Sequence, residues 1–424
     1  MLLSITLLAG CGHLYFNVID GSSESLTDVI DPSQRMVSSR SEPAFVAAVT
    51  PASGQEAEDI PPEPTGINYD RDVLESPLIS FAAYKKPVEA RGLYLSSNAA
   101  GVSNTFINRL DFIEQKGMNA IVIDVKDDLG NMTFKGKLQS ADESGISVAN
   151  IPDIDALMAE LKARDIYTIA RIVSFRDQAV ANVHPEFILK LTDGTELWTE
   201  ESGNTFCWLN PYNKDVWTYI LDIAVEAAKV GFDEIQFDYV RFSTSQRVKI
   251  ADFGFDPESN GNPSFIETIC DFGRYAMERL KPYGVKVSAD VFATVIISDL
   301  DASLIGQDFT QLAGIFDIVS PMVYPSHYGN GTFGIANPDL NPYETLNETF
   351  KIMNQKLENS DAPKKAVIRP WLQDFTASWL GSGKYRNYGG DEINAQIKAC
   401  ADNGMTEWLL WDSANRYNGA ASGL

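Results

Sequence analysis

Two aspartates end apolar runs near the middle of the chain, where a charged residue is unexpected. Asp238 lies in "EIQFDYVRF" (234–242) and Asp290 lies in "VKVSADVF" (285–292). If these segments are neighbouring strands of a parallel barrel, their carboxyl ends meet at the same mouth. The two carboxylates are therefore expected to converge over a small ligand.

A pair of carboxylates is the usual apparatus for cleaving a glycosidic bond. One is ionised and acts as nucleophile or base, while the other is kept protonated by a raised pKa and donates to the leaving oxygen. We expect Asp238 to be the nucleophile and Asp290 the acid/base. The alternative for Asp238 is a strand-end acid satisfied by Arg241 or a loop amide, and the alternative for Asp290 is a hydrogen-bonded buried acid.

The alternation of side chains along a strand predicts where Asp238 points. Gln236 and Asp238 share one face of the segment, while Phe237 and Tyr239 share the other. If the two aromatic rings pack under helices, Asp238 points into the barrel mouth.

Other polar and aromatic residues follow at the late ends of nearly all the apolar runs. In a parallel barrel that position indicates chemistry, whereas the opposite end indicates stability. Arg171 and Arg369 would be unfavourable inside a barrel unless paired, so each is expected to position a catalytic carboxylate or a substrate hydroxyl. Aromatic rings suit sugar faces, although about half of them are expected to be ordinary core. The predicted substrate-binding residues are Asp124, Lys126, Arg171, Trp208, Arg241, Tyr324, His327, Arg369, Trp371, Gln373 and Asp412.

The pattern of the chain predicts the frame that would hold these residues. Short apolar, β-branched runs alternate with amphipathic helical segments, which indicates a parallel sheet. Eight such units suit an α/β fold of the (β/α)8 TIM-barrel type. The runner-up, a doubly wound open sheet that binds a nucleotide, is disfavoured because no glycine-rich phosphate loop follows any run. The eight runs are 91–97, 120–128, 167–175, 234–242, 285–292, 317–324, 366–375 and 407–413, and helix candidates include 104–117, 151–165, 216–231, 343–359 and 392–404.

The overall composition and charge restrict the classes of partner that the protein is expected to bind. The chain has 424 residues, 44% of them apolar, and a formal charge of -24. A surface this negative repels phosphate backbones, so we expect no nucleic-acid partner. Neutral or cationic ligands remain compatible with it.

The sequence predicts neither a metal site nor a cofactor. Its four cysteines lack metal-ligand spacing, and its three histidines are far apart. A divalent-metal hydrolase built on Asp124, Asp127 and Asp128 is a minor alternative, because a run of acids after a strand is more often a solvated loop.

The amino terminus has the pattern of an export signal. "MLLSITLLAGC" is a short apolar stretch ending in small residues and Cys11, and its end resembles the lipobox at which bacterial lipoproteins are cleaved and acylated. We predict a signal segment over 1–11, lipidation at Cys11, a flexible acidic, Pro- and Ser-rich linker over 12–86, and the barrel over 87–424. Such a protein would be anchored to a membrane outside the cytoplasm, in the periplasm or on the cell surface. The alternative is an ordinary apolar start with an incidental cysteine.

Several segments in order resemble one bacterial family of glycosyl-hydrolase-like barrels with unassigned substrate. They are "ARGLYLSSNAAG", "NAIVIDVKDDLGNMTF", "YTIARIVSFRD", "GFDEIQFDYVRF", "VSADVF" and "IVSPMVYPSHY". The resemblance covers about residues 88–420. It implies a barrel, a polysaccharide substrate and a catalytic-type acid at Asp238, and it implies less for Asp290.

Two better-known patterns are absent from the fourth run. Chitinase-like barrels carry DxxDxDxE there, but Val240 stands where the final glutamate would be. Barrels with paired catalytic glutamates carry Asn-Glu, but here Asp238 and Tyr239 occupy that place. A fourth-strand aspartate is similar to the nucleophile position of many α-glycosidase barrels, which favours a retaining α-glycosidase.

Two functions of different class follow from these patterns. The leading interpretation is a glycoside hydrolase that acts on a polysaccharide outside the cytoplasm. The alternative is a barrel lipoprotein that binds glycans or envelope polymer without cleaving them, since an inactive barrel can keep its aromatic platforms. The separation of the Asp238 and Asp290 carboxyl groups would help to distinguish them.

Overall fold

The computed structural model describes residues 4–7, 14–17 and 88–423, except 197, 202–203, 258, 260 and 363–364. Ser4–Leu7 and Leu14–Asn17 pair as two antiparallel strands. The rest of the predicted signal segment and linker, including Cys11, lies outside the described residues. Within the described part of the chain, no helix is long and apolar enough to cross a bilayer.

Eight parallel strands form a closed barrel, as the sequence predicts. Each strand pairs with the next, and the eighth pairs with the first through Trp408 and Arg91, which excludes the open-sheet alternative. The seventh strand consists of two pieces on either side of Arg369 and Pro370. The strands are β1 (Arg91–Leu95), β2 (Ala120–Lys126), β3 (Tyr167–Val173), β4 (Glu234–Asp238), β5 (Lys286–Phe292), β6 (Ile318–Met322), β7 (Val367–Ile368 and Trp371–Gln373) and β8 (Trp408–Trp411).

A helix follows every strand, and the five predicted helices all occur within a few residues of their predicted limits. The helix predicted over 216–231 shows why the chain folds this way. Its first turn is capped by Asn213, its apolar stripe is buried, and Gly231 ends it in the left-handed conformation at φ 106°. The principal helices are α1 (Ser103–Gln115), α2 (Ile154–Ala163), α3 (Lys214–Val230), α4 (Phe265–Leu280), α5 (Phe309–Ile315), α6 (Pro342–Glu358), α7 (Gly390–Asp402) and α8 (Asn418–Gly423).

Short helices and strands lie in the loops. Helical turns occur at Ser97–Ala100, Gln139–Ser144, Thr294–Ile297 and Asp299–Ile305. Two small antiparallel ladders join Lys190–Leu191 to Ala251–Asp252, and Trp198–Glu201 to Asn204–Cys207.

The barrel has two separate apolar regions. The larger lies between the outer face of the strands and the helices, where Phe237 of β4 packs edge-on against Phe272 of α4. The smaller lies inside the barrel and contains Val122, Ile169 and Leu409. Because the interior is filled with side chains, the carboxyl end of the strands, where the active sites of such barrels lie, is the expected place for a ligand.

Candidate functional site

Every strand contributes a side chain near the carboxyl end of the barrel, either from the strand itself or from the loop just beyond. The ring combines four aromatic residues with three acids and one arginine. Going round the barrel from β1 to β8, they are Tyr94, Asp124, Arg171, Asp238, Asp290, Tyr324, Trp371 and Trp411.

Asp238 is the last residue of β4, and the backbone turns sharply after it. Tyr239 has φ 51°, a left-handed conformation that is unusual for a bulky residue. The Tyr239 N–H donates to Asp238 Oδ1 at 2.7 Å. Strained residues of this kind cluster at functional sites.

The strand ends before Tyr239. Phe237 packs under a helix as expected, and the partly buried Tyr239 also packs against the apolar region between the strands and the helices. The Tyr239 ring lies 3.8 Å from the Arg176 guanidinium and 5.0 Å from that of Arg241.

Arg171 binds the second oxygen of Asp238 twice. Its Nε and Nη2 lie 3.0 and 2.6 Å from Asp238 Oδ2. Its Nη1 lies 2.8 Å from Asp124 Oδ1, and Nη2 also reaches Asp128 Oδ1 at 3.2 Å. Arg171 is buried, and its planar fork holds three acids in fixed positions.

Asp124 on β2 completes this network from the other side. Its Oδ2 accepts a 2.6 Å hydrogen bond from the Tyr94 hydroxyl. Burial raises the pKa of Asp124 to about 6, and the neighbouring Arg171 charge limits the rise. Burial also opposes ionisation of Asp128, but Arg171 and Arg176 outweigh it and hold the pKa of that acid below its usual value.

Asp290 on β5 has a different environment from Asp238. Its Oδ1 accepts a 2.9 Å hydrogen bond from the Trp371 indole on β7, and its pKa is raised well above the usual value. Burial is the main cause, and the negative charge of Asp238 is the next. Asp290 therefore holds a proton where an ordinary aspartate would not.

The pairing of β4 with β5 brings the two acids to the same level. Ser288 pairs with Gln236 and Ala289 with Phe237, and the same register extended by one residue sets Asp290 beside Asp238. Adjacent strands lie about 4.8 Å apart, so both side chains share one corner of the mouth. Two titratable groups in unlike surroundings are the arrangement that acid/base chemistry requires.

Aromatic side chains enclose the two acids. The Trp411 ring stacks on Tyr94 at 4.3 Å and meets Trp371 edge-on at 5.5 Å. Tyr324 is buried, and burial together with the charges of Asp290 and Asp238 raises the pKa of its phenol well above the usual value. Its hydroxyl therefore stays protonated and can donate a hydrogen bond.

Arg241 and Trp208 lie beside the mouth in contact with one another. The Arg241 guanidinium is 4.7 Å from the Trp208 ring and 4.5 Å from the Phe292 ring, and Nη1 donates to the Phe242 carbonyl at 3.0 Å. Arg171 forms an ion pair with Asp238. His327 lies at the partly exposed rim, where its ring is 5.1 Å from Tyr324.

Lys126 was predicted to bind substrate, but it points away from the mouth. A register shift between Asp124 and Lys126 disturbs the alternation of β2. The ammonium group is fully buried, 2.8 Å from Asp177 Oδ2 and 2.7 Å from the Val173 carbonyl. It lies over the Tyr219 ring of α3, on the helix side of the barrel.

Arg369 was also predicted at the mouth, but it lies towards the opposite end. Its Nη1 bonds both oxygens of Glu234, at 2.9 and 2.8 Å, and its Nε bonds Glu407 at 2.7 Å. Glu234 is the first residue of β4 and Glu407 directly precedes β8. These partners place Arg369 in a structural network at the amino end of the strands.

Gln373 and Asp412 are fully or almost fully buried and bind loop atoms. Gln373 Oε1 accepts from the Ser326 N–H and hydroxyl, and its Nε2 donates to Asp339 and to the Phe375 carbonyl. Asp412 accepts from the backbone of Ala414 and Arg416. Both therefore shape the loops around the mouth.

Three further members of the site, Tyr94, Arg176 and Trp411, are not among the predicted substrate-binding residues. Tyr94 lies in "RGLYL". Its place just before the end of β1 was the only signal for it. Arg176 lies in the loop after β3 and pairs with Asp128, and nothing in the sequence fixes the path of that loop.

The acid run after β2 does not gather around one point. Asp127 turns away to accept from the N–H groups of Leu129 and Asn131. Asp124 and Asp128 bind Arg171. Among the residues that the structure describes, no group of three His, Cys, Asp or Glu side chains could hold a metal ion.

Comparison with known proteins gives a family and a shared fold. No curated protein matches significantly. A protein of Ruminiclostridium thermocellum, described only as a "hypothetical protein", is 34% identical with a TM-score of 0.41, over 47% of this chain and 97% of that one. The PgaB (BpsB) glycoside hydrolase domain from Bordetella bronchiseptica is 14% identical with a TM-score of 0.57, over 79% of this chain and 98% of that one. At this identity the second likeness concerns the fold alone.

The family match covers nearly the whole barrel. Residues 92–417 match the family described as "Putative glycosyl hydrolase domain". The matched range reaches into all eight strands and includes every residue of the mouth described above. The chain therefore belongs to this family of glycosyl hydrolase domains.

Proposed function

We propose that the protein hydrolyses a glycosidic bond of a polysaccharide with retention of configuration, using Asp238 as nucleophile and Asp290 as acid/base. The observation that carries the proposal is the contrast between two neighbouring acids at the mouth. Asp238 accepts three hydrogen bonds from a guanidinium and a backbone amide, whereas Asp290 accepts one from an indole.

The contacts of Asp238 suit an ionised nucleophile. Arg171 and the Tyr239 N–H are donors, and donors favour the charged form of a carboxylate. They also fix the direction of both oxygens. Oδ1 accepts one N–H and keeps a lone pair that can attack a sugar carbon.

The contacts of Asp290 suit a proton donor. Its raised pKa keeps it protonated where a free aspartate would be ionised. As Asp238 attacks the anomeric carbon and the bond to the leaving oxygen breaks, Asp290 gives its proton to that oxygen. Asp290 then takes a proton from water, which attacks the same carbon and releases Asp238.

The fourth-strand position of Asp238 supports an α-linked substrate. It is similar to the nucleophile position of many α-glycosidase barrels, as noted for the sequence. Asp238 and Asp290 lie at the same height on adjacent strands. This arrangement favours the short separation between carboxyl groups that retaining enzymes have, about 5–5.5 Å.

The proposal is tested by Asp238→Asn. Purified wild-type protein is incubated with soluble α-glucans and bacterial exopolysaccharides, and new reducing ends are measured. We expect Asp238→Asn to lower kcat by about 10³-fold or more, because the nucleophile is lost while the fold remains. The first anomer released, read by proton NMR, should keep the configuration of the substrate.

Asp233→Asn provides the matched control. Asp233 directly precedes the same strand but lies at its amino end, where it bonds Thr168, so hydrolysis should persist. Full activity of Asp238→Asn would contradict the nucleophile assignment. Binding of a polysaccharide without hydrolysis by the wild type would instead support the non-catalytic glycan-binding alternative.

We also propose that the protein works outside the cytoplasm, held at a membrane by a lipid on Cys11. The apolar start and the "LLAGC" segment support this. Cys11→Ser should move the protein from the membrane pellet to the soluble fraction, whereas Gly10→Ala keeps a small residue and should not. Equal membrane association of wild type and Cys11→Ser would contradict the anchor.

A further inference from the structure

A connected series of aromatic rings leads from the carboxylate pair to the protein surface. Tyr324, His327, Phe375 and Trp379 form this series, which we name the aromatic ledge. The Phe375 ring lies 5.6 Å from Tyr324 and 6.2 Å from His327, and Trp379 stacks on it at 5.8 Å with an interplanar angle of 22°.

The inner end of the aromatic ledge belongs to the catalytic mouth. Tyr324 and Phe375 lie in the same apolar cluster as Trp371, whose indole bonds Asp290. Tyr324 is almost fully buried and both Phe375 and His327 are partly buried. The rings thus become more accessible with distance from the acids.

The outer end of the aromatic ledge presents a large ring to solvent. Trp379 is 38% exposed, which is rare for a tryptophan that serves only as core. It belongs to the single helical turn Ser378–Leu380 in the loop after β7. Its position continues the series of rings from the mouth.

One buried amide fixes both loops that carry the aromatic ledge. Gln373 accepts from the Ser326 N–H at 3.1 Å and from its hydroxyl at 2.7 Å, and it donates to the Phe375 carbonyl at 3.1 Å. Ser326 in turn lies 3.0 Å from His327 Nδ1. The parts of the loops that carry His327 and Phe375 are therefore held in place before any ligand arrives, which reduces the ordering that binding requires.

We propose that the aromatic ledge binds successive sugar rings of a polymer beyond the bond that is cleaved. Aromatic faces pack against the apolar faces of pyranose rings and need no charge, in agreement with an uncharged or cationic glycan. The inference rests on the proposed function for its substrate class. It adds that several sugar units of the chain are bound at once and that Trp379, which is not among the predicted substrate-binding residues, contributes to the preference for longer chains.

The test measures binding to glycan chains of different length. Asp238→Asn protein, which should bind without turnover, is applied to an array of α-glucan and bacterial exopolysaccharide fragments that includes disaccharides and longer chains of each linkage. We expect tighter binding to the longer chains. Adding Trp379→Ala should weaken that binding by about three- to tenfold, the usual contribution of one aromatic contact.

Two variants separate stacking from damage to the fold. Trp379→Phe keeps a ring and should restore most of the binding. Phe255→Ala removes another exposed aromatic residue, 37% exposed, from the loop after β4, and should leave the length dependence unchanged.

Each result of the array measurement either supports or overturns the proposal. Binding that is equal for short and long chains, absent from the whole array, or unchanged by Trp379→Ala would overturn the aromatic ledge as a subsite. Length-dependent binding through Trp379 without hydrolysis by the wild type would uphold the ledge and contradict the hydrolytic function.

Discussion

Strand β4 carries a buried acid at each end, and the two acids have opposite surroundings. Glu234 opens the strand and Asp238 closes it, with Gln236 between them on the same inward face. Both acids bind an arginine from another strand. The comparison shows what distinguishes a structural carboxylate from one available for chemistry.

The acid at the amino end is fully occupied. Arg369 bonds both oxygens of Glu234, the Tyr167 hydroxyl bonds one at 2.9 Å, and the Ser288 hydroxyl bonds the other at 2.5 Å. Arg369 also bonds Glu407. These groups satisfy one another, and the network closes that end of the barrel.

The acid at the carboxyl end belongs to a group with a surplus of carboxylates. Arg171 serves Asp238, Asp124 and Asp128 together, and Asp290 stands next to them with an indole as its partner. Burial, and next the negative charge of Asp238, raises the pKa of Asp290. Burial with an arginine is therefore common to both ends, and the carboxyl end adds Asp290, an acid that is bound by an indole.

The largest effect that would sharpen this contrast is expected from Arg369→Met. Removing the arginine leaves Glu234 and Glu407 buried without their cation. We expect a loss of about 3–5 kcal/mol in the free energy of unfolding, measured in urea. The matched control is Arg274→Met, since Arg274 forms an exposed pair with Asp271 and should contribute about 0–1 kcal/mol.

The Arg369 variant also tests the original sequence prediction. If Arg369→Met kept its stability but lost glycan binding on the array, Arg369 would be a substrate contact and the assignment of the amino end to stability would be wrong.

A smaller effect on the free energy of unfolding is expected from the titration of Asp124. Its pKa is about 6 in the folded protein and about 3.9 when unfolded, so the folded state binds more protons between these values. Its contribution to stability therefore falls as pH rises from about 4 to 6 and is constant above that range. We expect Asp124→Asn to gain on the order of 2 kcal/mol relative to wild type between pH 4 and pH 7.

Urea unfolding of both proteins at pH 4, 5 and 7 provides the measurement. A difference in free energy that stayed constant across these values would show that Asp124 titrates normally. The raised pKa of Asp124 would then no longer distinguish the carboxyl end of the barrel from the amino end.

The fold was predictable because it depends on repeated patterns. Eight apolar runs and the helices between them specify the barrel, and their alternation specifies that Asp238 points inward. Lys126 and Arg369 were harder to place because each depends on a local event. A bulge in β2 redirects Lys126, and the Arg369 network requires Glu234 and Glu407, which are far away in sequence. Gln373 shows the same limit, because its loop partners become neighbours only after folding.

The turn after Asp238 bears on when the Asp238 carboxylate becomes ordered. Tyr239 holds a backbone conformation that costs about 1–3 kcal/mol, and that cost is met when the chain folds. Its N–H and Arg171 then leave the carboxylate a single orientation, so no rotamer freedom remains to be lost when a ligand enters. The reorganisation that a flexible aspartate would undergo in every encounter with a ligand is completed once, when the chain folds.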